Sequence, residues 1–254
     1  MSETTAVALV TGGARRIGRA IVEDLAAHGW AVAIHYNYSQ NDAEALAAAI
    51  RDSGGRAAAV GADLGDPDSV AGLVNAAEAI LGKPRLLVNN ASMFETDSGG
   101  ALDPALFDRL MAVNLRAPVF LTEAFAAALP DGVEGNVVNL IDQSVWKPAP
   151  KNFSYQLAKS ALWTATQMHA QALAPKVRVN AIAPGPTFRH TRQTGEQFAA
   201  RVATLLLKRG PEPAEFGRTI RYLVENRSIT GQMIGLDGGQ HLAWETPDVS
   251  GPDD

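Results

Sequence analysis

The chain has 254 residues, of which 46% are apolar, and a formal net charge of −5. That length suits one large α/β domain with an ample core, and the acidic balance argues against nucleic-acid binding and against a basic patch for an anionic membrane. The chain has no cysteine, which excludes disulfides, thiolate catalysis and Cys-ligated metals and fits a reducing cytoplasm.

Short apolar runs alternate with longer helical patterns. Met1–Thr5 has no basic region and no apolar run, so no signal peptide is expected. Ala6–Val10 is expected to be a buried strand, followed by a helix over Arg16–Gly29 and a second strand at Ala31–His35. An alanine-rich helix over 41–52 ends at Gly54-Gly55, and Ala57–Gly61 gives a third strand. Asp66 and Pro67 are cap and first-turn residues of a helix running to about Leu81. Leu86–Asn89 is the fourth strand. A long helix starts at Pro104 and reaches about Leu129, with a bend or interruption expected near Pro118. Gly135–Ile141 is the fifth strand, 153–174 a helix, Val177–Ile182 the sixth strand, 191–226 one or two helices and Met233–Leu236 the seventh strand.

Strands separated by helices of this length imply right-handed βαβ crossovers. The expected fold is therefore a single α/β Rossmann-like domain over 1–245, a doubly wound seven-stranded parallel sheet with helices on both faces. Residues 246–254, rich in Pro, Gly and Asp, are expected to form a flexible tail. No stretch approaches the roughly 20 apolar residues that span a bilayer. In such a sheet, ligands bind beyond the carboxyl ends of the strands.

The first strand runs into Thr11-Gly12-Gly13-Ala14-Arg15-Arg16-Ile17-Gly18. Glycines here let backbone approach a pyrophosphate at a helix N-terminus. The spacing is nearer T-G-x-x-x-G-x-G than G-x-G-x-x-G, and Arg16 stands where a glycine would be. NAD sites place a carboxylate after the second strand. Here that stretch is His35-Tyr36-Asn37-Tyr38-Ser39, without an acid before Asp42. Arg15, Arg16 and His35 would offer donors and positive charge to a 2′-phosphate, which favours NADP(H).

Tyr155 and Lys159 lie four residues apart, on one helix face, and Asp142 stands thirteen residues before the tyrosine. A free phenol titrates near 10, and a nearby ammonium pulls that value toward the working range.

Four motifs fall in order: the Thr11–Gly18 loop, Asn89-Asn90-Ala91, Tyr155-x-x-x-Lys159 and Pro184-Gly185-Pro186-Thr187. With Asp63-Leu64 and Asn114, they resemble the short-chain dehydrogenase/reductase family over about residues 5 to 240. The resemblance implies that Tyr155 is the proton donor and that Lys159 binds the nicotinamide ribose and lowers the tyrosine pKa. Asn114 would hold a water of the proton relay. Gly12, Arg15, Arg16, Ile17 and Gly18 would cradle the phosphates, with His35, Tyr36, Asn37 and Ser39 toward the 2′-phosphate. Asp63 and Leu64 would line the adenine pocket, and Asn90 and Ala91 would flank the ribose. Pro184, Gly185 and Thr187 would approach the nicotinamide.

One position departs from the family pattern. Asp142 occupies the place of a serine whose hydroxyl bonds a substrate carbonyl. A carboxylate only accepts hydrogen bonds and would repel an oxyanion, so it suits a substrate with N–H groups. Ser144 is a possible stand-in two residues off register, and an inactivating change at Asp142 is the other alternative. Phe94, beyond the fourth strand, can wall a slot for a flat heteroaromatic ring.

Arg16, His35-Tyr36, Asn-Asn-Ala-Ser-x-Phe and Asp-x12-Tyr-x3-Lys together resemble the pteridine reductase and dihydromonapterin (dihydrofolate) reductase branch. That implies NADPH-dependent reduction of a dihydropterin to its tetrahydro form. Arg16, Ser92 and Phe94 would contact the pterin, and Asp142 would act with Tyr155. A ketone reductase of the same family and a non-catalytic NADP-sensing module are the rival readings. Family members assemble through helices matching 104–129 and 153–174, so a homotetramer is expected, with Trp163 and Gln167 at the contact.

Overall fold

In the computed structural model, which describes residues 5–190 and 192–244, seven strands form one sheet in the order β3-β2-β1-β4-β5-β6-β7. They are β1 (Val7–Val10), β2 (Ala31–Tyr36), β3 (Ala57–Gly61), β4 (Pro84–Asn89), β5 (Gly135–Leu140), β6 (Val177–Pro184) and β7 (Met233–Leu236). Every pairing is parallel. Parallel strands covered on both faces need apolar side chains on both, which is why β1 and the first four residues of β2 are Val, Ala, Leu and Ile. The expected doubly wound sheet is observed. The tail at 246–254 lies outside the described residues.

Helices α1 (Arg16–Ala27), α2 (Gln40–Asp52) and α8 (Pro213–Glu225) cover one face of the sheet through Ile21, Val22, Leu25, Leu46, Phe216 and Ile220. Helices α3 (Pro67–Leu81), α5 (Ala117–Ala128) and α6 (Phe153–Ala172) cover the other through Val70, Leu73, Leu121, Phe125 and Ala170. Burying a Leu, Ile or Phe of this kind is worth about 1.5–3 kcal/mol, so these two layers supply most of the driving force for folding. As expected, Asp66 caps α3 by accepting from the Ser69 N–H (3.0 Å), and Pro67 occupies the first turn. The 191–226 region holds α7 (Gly195–Ala203) and α8.

The long helix is interrupted near Pro118, as expected: α4 (Pro104–Met111) passes through one π-helical turn at Ala112–Arg116 into α5, and Pro118 sits in the first turn of α5, where its missing N–H costs little. One expectation needs correction. The same Pro104–Ala128 stretch, 25 residues at a mean hydropathy of 1.2, is long and apolar enough to cross a membrane by length and composition. Its apolarity serves the core, because Leu110, Ala117, Leu121 and Phe125 are fully buried.

A chain of buried amides fixes α6 to the sheet. Asn89 of β4 donates to the Asn139 carbonyl oxygen at 2.8 Å, and Asn139 of β5 donates to the Thr166 hydroxyl of α6 at 2.9 Å. All three side chains are buried, so each lost partner exposes an unsatisfied polar group to an apolar surround. We expect Asn139→Leu to destabilise the fold by roughly 1–3 kcal/mol, read as a lower urea midpoint with an unchanged slope.

Candidate active site

The sheet order reverses between β1 and β4, and the two loops leaving those strands are clamped together. The Thr11 hydroxyl accepts from the Asn90 and Ala91 N–H groups, both at 3.0 Å. The Asn90 amide donates to the Thr11 and Gly12 carbonyls at 2.8 and 3.0 Å. Gly18 has to be glycine: a Cβ there would stand 2.1 Å from the Gly12 oxygen. Arg16 begins α1 with φ at +53°, the left-handed region usually left to glycine, which explains the family's glycine at that position. Its guanidinium crosses the cleft to donate to the Phe188 carbonyl (3.2 Å) and lies 5.5 Å from the Phe188 ring centroid.

His35 does not play the role expected of it. Its Nδ1 accepts from the Gly12 N–H at 3.0 Å, and its Nε2 lies 3.1 Å from the Ala62 carbonyl, so Nε2 carries the proton. Burial pushes its pKa down to about 4. His35 is therefore neutral, shapes the glycine loop and brings no charge to a phosphate. Asp63 is also corrected. Its carboxylate accepts from Arg109 at 2.7 and 3.0 Å and from the Gly65 N–H at 2.8 Å, and Leu64, not Asp63, lines the cavity. The Gly65 N–H bond and Arg109 hold the Asp63 carboxyl below the usual range. Around the same end stand Arg15, paired with Asp42 at 2.6 Å, and Tyr36, Asn37, Tyr38 and Ser39.

At the other end, α6 presents Tyr155 and Lys159, both buried. The Tyr155 hydroxyl donates to Asp142 Oδ2 at 3.2 Å, while Asp142 Oδ1 accepts from the Ser144 N–H at 2.8 Å and caps the short 3-10 helix Gln143–Trp146. Lys159 Nζ donates to the Leu140 carbonyl at 2.8 Å and lies 5.8 Å from the Tyr155 ring centroid. The expectation that Lys159 lowers the tyrosine pKa fails in this state. Burial, then the Asp142 charge and hydrogen bond, raise Tyr155 well above 10. Burial lowers Lys159 to about 8, partly offset by Asp142. Tyr155 is thus a protonated donor at neutral pH.

Phe94 packs edge-on to Tyr155, with ring centroids 4.9 Å apart, and forms a wall of the cavity as expected. Asn114 lies in the π-helical turn. Its Oδ1 accepts from the Ser92 hydroxyl (2.9 Å) and the Met93 N–H (3.0 Å), and its Nδ2 donates to the Met93 carbonyl (2.8 Å). Its side chain holds the 92–93 loop, with one Nδ2 hydrogen beyond these bonds. Asp97, which no sequence signal marked, ties that loop to α6 by accepting from the Ser154 N–H (3.2 Å) and hydroxyl.

These parts line one cavity of about 1090 Å³. That volume exceeds what one small ligand needs and leaves room for a dinucleotide and a second ring side by side. Gly12, Arg15, Arg16, Ile17, Gly18 and Leu64 line it, as do Asn90, Ala91, Ser92, Phe94, Asp142, Tyr155, Lys159, Pro184, Gly185 and Thr187. Sequence reasoning missed Arg109, Gln143, Asn152, Gln156 and the 188–201 residues His190, Arg192 and Arg201. No spacing rule links them to the motifs.

The model of the short chain dehydrogenase family matches residues 6–200. The crystal structure of FolM alternative dihydrofolate reductase 1 from Brucella suis, in complex with NADP, superposes with a TM-score of 0.95 at 61% identity, covering 97% of this chain and 99% of that one. Pteridine reductase 1 of Leishmania tarentolae is 31% identical over 284 residues, 95% of this chain and 98% of its own. The 3-oxoacyl-[acyl-carrier-protein] reductase of Synechocystis is 32% identical over 241 residues, 93% of this chain and 97% of its own. With its glycine loop, its Tyr155–Lys159 helix and these similarities, the chain belongs to the short-chain dehydrogenase/reductase family of oxidoreductases.

Proposed function

We propose that this protein is an NADPH-dependent reductase that converts a dihydropterin, or a related pteridine such as dihydrofolate, to its tetrahydro form. The observation that carries the reading is the carboxylate of Asp142 bonded to the Tyr155 hydroxyl, with Phe94 against the same ring. Identity points the same way, at 61% to the FolM dihydrofolate reductase structure against 32% to the Synechocystis 3-oxoacyl reductase. Asp142 gives the chemical reason, because a carboxylate beside a forming oxyanion raises its energy, whereas one beside a ring N–H accepts a hydrogen bond.

The residues fit an NADP cofactor. Arg15 and Arg16 offer guanidinium groups at the glycine loop, Tyr36, Asn37 and Ser39 bring hydrogen-bonding groups without a carboxylate of their own, and Gly12 and Gly18 keep the backbone bare. The bound nicotinamide supplies a hydride to the carbon of a C=N bond. Tyr155 then delivers its proton to the adjacent nitrogen, so that C=N becomes CH–NH. Asp142 orients the hydroxyl and accepts from the pterin N–H groups. The Lys159 ammonium offsets the negative charge left on the phenol oxygen. Ser92 and Arg16 contact the ring that Phe94 holds.

The reading extends to assembly and location. Phe120, Leu157 and Met168 are 59%, 44% and 62% exposed on α5 and α6, a face that a partner subunit would cover with Trp163 and Gln167 nearby. A homotetramer is the assembly we propose on the family resemblance, and light scattering that gives a monomer mass would refute it. A cytoplasmic location suits the cysteine-free composition.

Asp142→Ser should lower kcat/KM for dihydropterin by at least about tenfold while leaving the NADPH dissociation constant within about twofold. Equal loss of both, in stopped-flow rates and cofactor titration, would remove the assigned role. The pH profile tests Lys159. Its ammonium is present below its folded pKa of about 8 and is lost above it, so kcat/KM should fall on the alkaline side with a midpoint near 8. Asp142→Asn removes the charge that raises Lys159 and should move that limb to lower pH.

A further inference from the structure

The cavity is cationic in a chain that is acidic overall. Among its lining residues Asp142 is the single carboxylate, against Arg15, Arg16, Arg109, Lys159, Arg192 and Arg201. The first four are accounted for: Arg15 and Arg16 flank the glycine loop, Arg109 pairs with Asp63, and Lys159 lies beside Tyr155. Arg192, which pairs with Glu95, and Arg201 also line the cavity and have no part in that machinery.

Contacts fix that placement. Tyr155 touches Phe94, and Phe94 touches His190, with ring centroids 5.6 Å apart. One residue beyond Phe94, Glu95 pairs with Arg192 at 2.5 Å. Arg192 therefore stands beside the segment that carries Phe94. Arg201 lines the same cavity from α7, the helix that follows this segment, and has no acidic partner among the described residues. The Glu95 pair shows that the Arg192 guanidinium is held where a carboxylate can reach it.

Building on the pteridine reading, we propose that Arg192 and Arg201 form a subsite for a carboxylate-bearing tail on the pteridine, the chemistry of the glutamate of dihydrofolate. A pterin ring held between Phe94 and the nicotinamide would extend its substituent out through this mouth. A carboxylate there would bond to Arg201 and share Arg192 with Glu95. Such a subsite contributes to substrate binding and not to the chemical step, so its loss raises KM and leaves kcat alone.

The test compares dihydrofolate with dihydrobiopterin, whose side chain is neutral, using the full-length enzyme and NADPH. Arg201→Ala should raise KM for dihydrofolate about three- to tenfold with kcat little changed, and leave KM for dihydrobiopterin within about twofold. Arg201→Glu should raise the dihydrofolate KM further, Arg201→Lys should restore most of it, and Arg192→Gln should add to Arg201→Ala. Added salt should weaken dihydrofolate alone. If the two substrates respond alike, or dihydrofolate does not respond, the tail subsite is overturned while the pteridine reading stands. If the unaltered enzyme reduces neither substrate, the pteridine reading itself fails, and the subsite with it.

Discussion

The site depends on how firmly α6 is held against the sheet. That helix brings a phenol and an ammonium into the protein interior, where an error of one ångström would break the Tyr155–Asp142 bond. Three ties act on it: the Asn89–Asn139–Thr166 chain at its middle, Lys159 on the Leu140 carbonyl, and Asp97 at its start. Each tie ends on a backbone or side chain of a different segment, so the helix cannot shift without disturbing β4, β5 and the 92–98 loop together. The polar bonds are few, but each is buried and therefore costly to break.

The second constraint is electrostatic. Burial disfavours charge on Tyr155 and Lys159, yet the Asp142 carboxylate supports the Lys159 ammonium, and the phenol stays neutral. The result is a tyrosine that keeps its proton until a partner arrives. The carboxylate, not the ammonium, governs Tyr155, because Asp142 accepts its hydroxyl while Lys159 bonds to the backbone. A serine at position 142 could donate as well as accept and would bring no charge, so this one residue changes both the substrate chemistry and the proton's resting place.

The cleft carries a gradient of charge from end to end. Guanidinium groups at the glycine loop suit a phosphate-bearing cofactor. Neutral, flat walls near Tyr155 suit a ring, and two further arginines at the mouth suit an anion. An acidic surface around such a cleft focuses the attraction inward and limits binding elsewhere.

Much of this was legible in the sequence. Alternation of short apolar runs with amphipathic helices sets the parallel sheet, since period and length are local properties of the chain. The glycine loop, Asn90, Tyr155, Lys159 and Asp142 were identifiable because fixed spacings put them at the carboxyl ends of known strands. Phe94 followed from its position just beyond β4. The misreadings all concern what a side chain touches. His35 looked cationic until its two ring nitrogens met Gly12 and Ala62. Asp63 looked free until Arg109, 46 residues away, reached it. That Asn114 also anchors the 92–93 loop was not legible either. The sequence by itself determined the elements, their order and the chemistry available at the sheet's edge, because those depend on neighbours along the chain. Tertiary structure alone decided which groups are charged, which are occupied and which arginines face the substrate. Those properties depend on burial and on partners brought from distant segments.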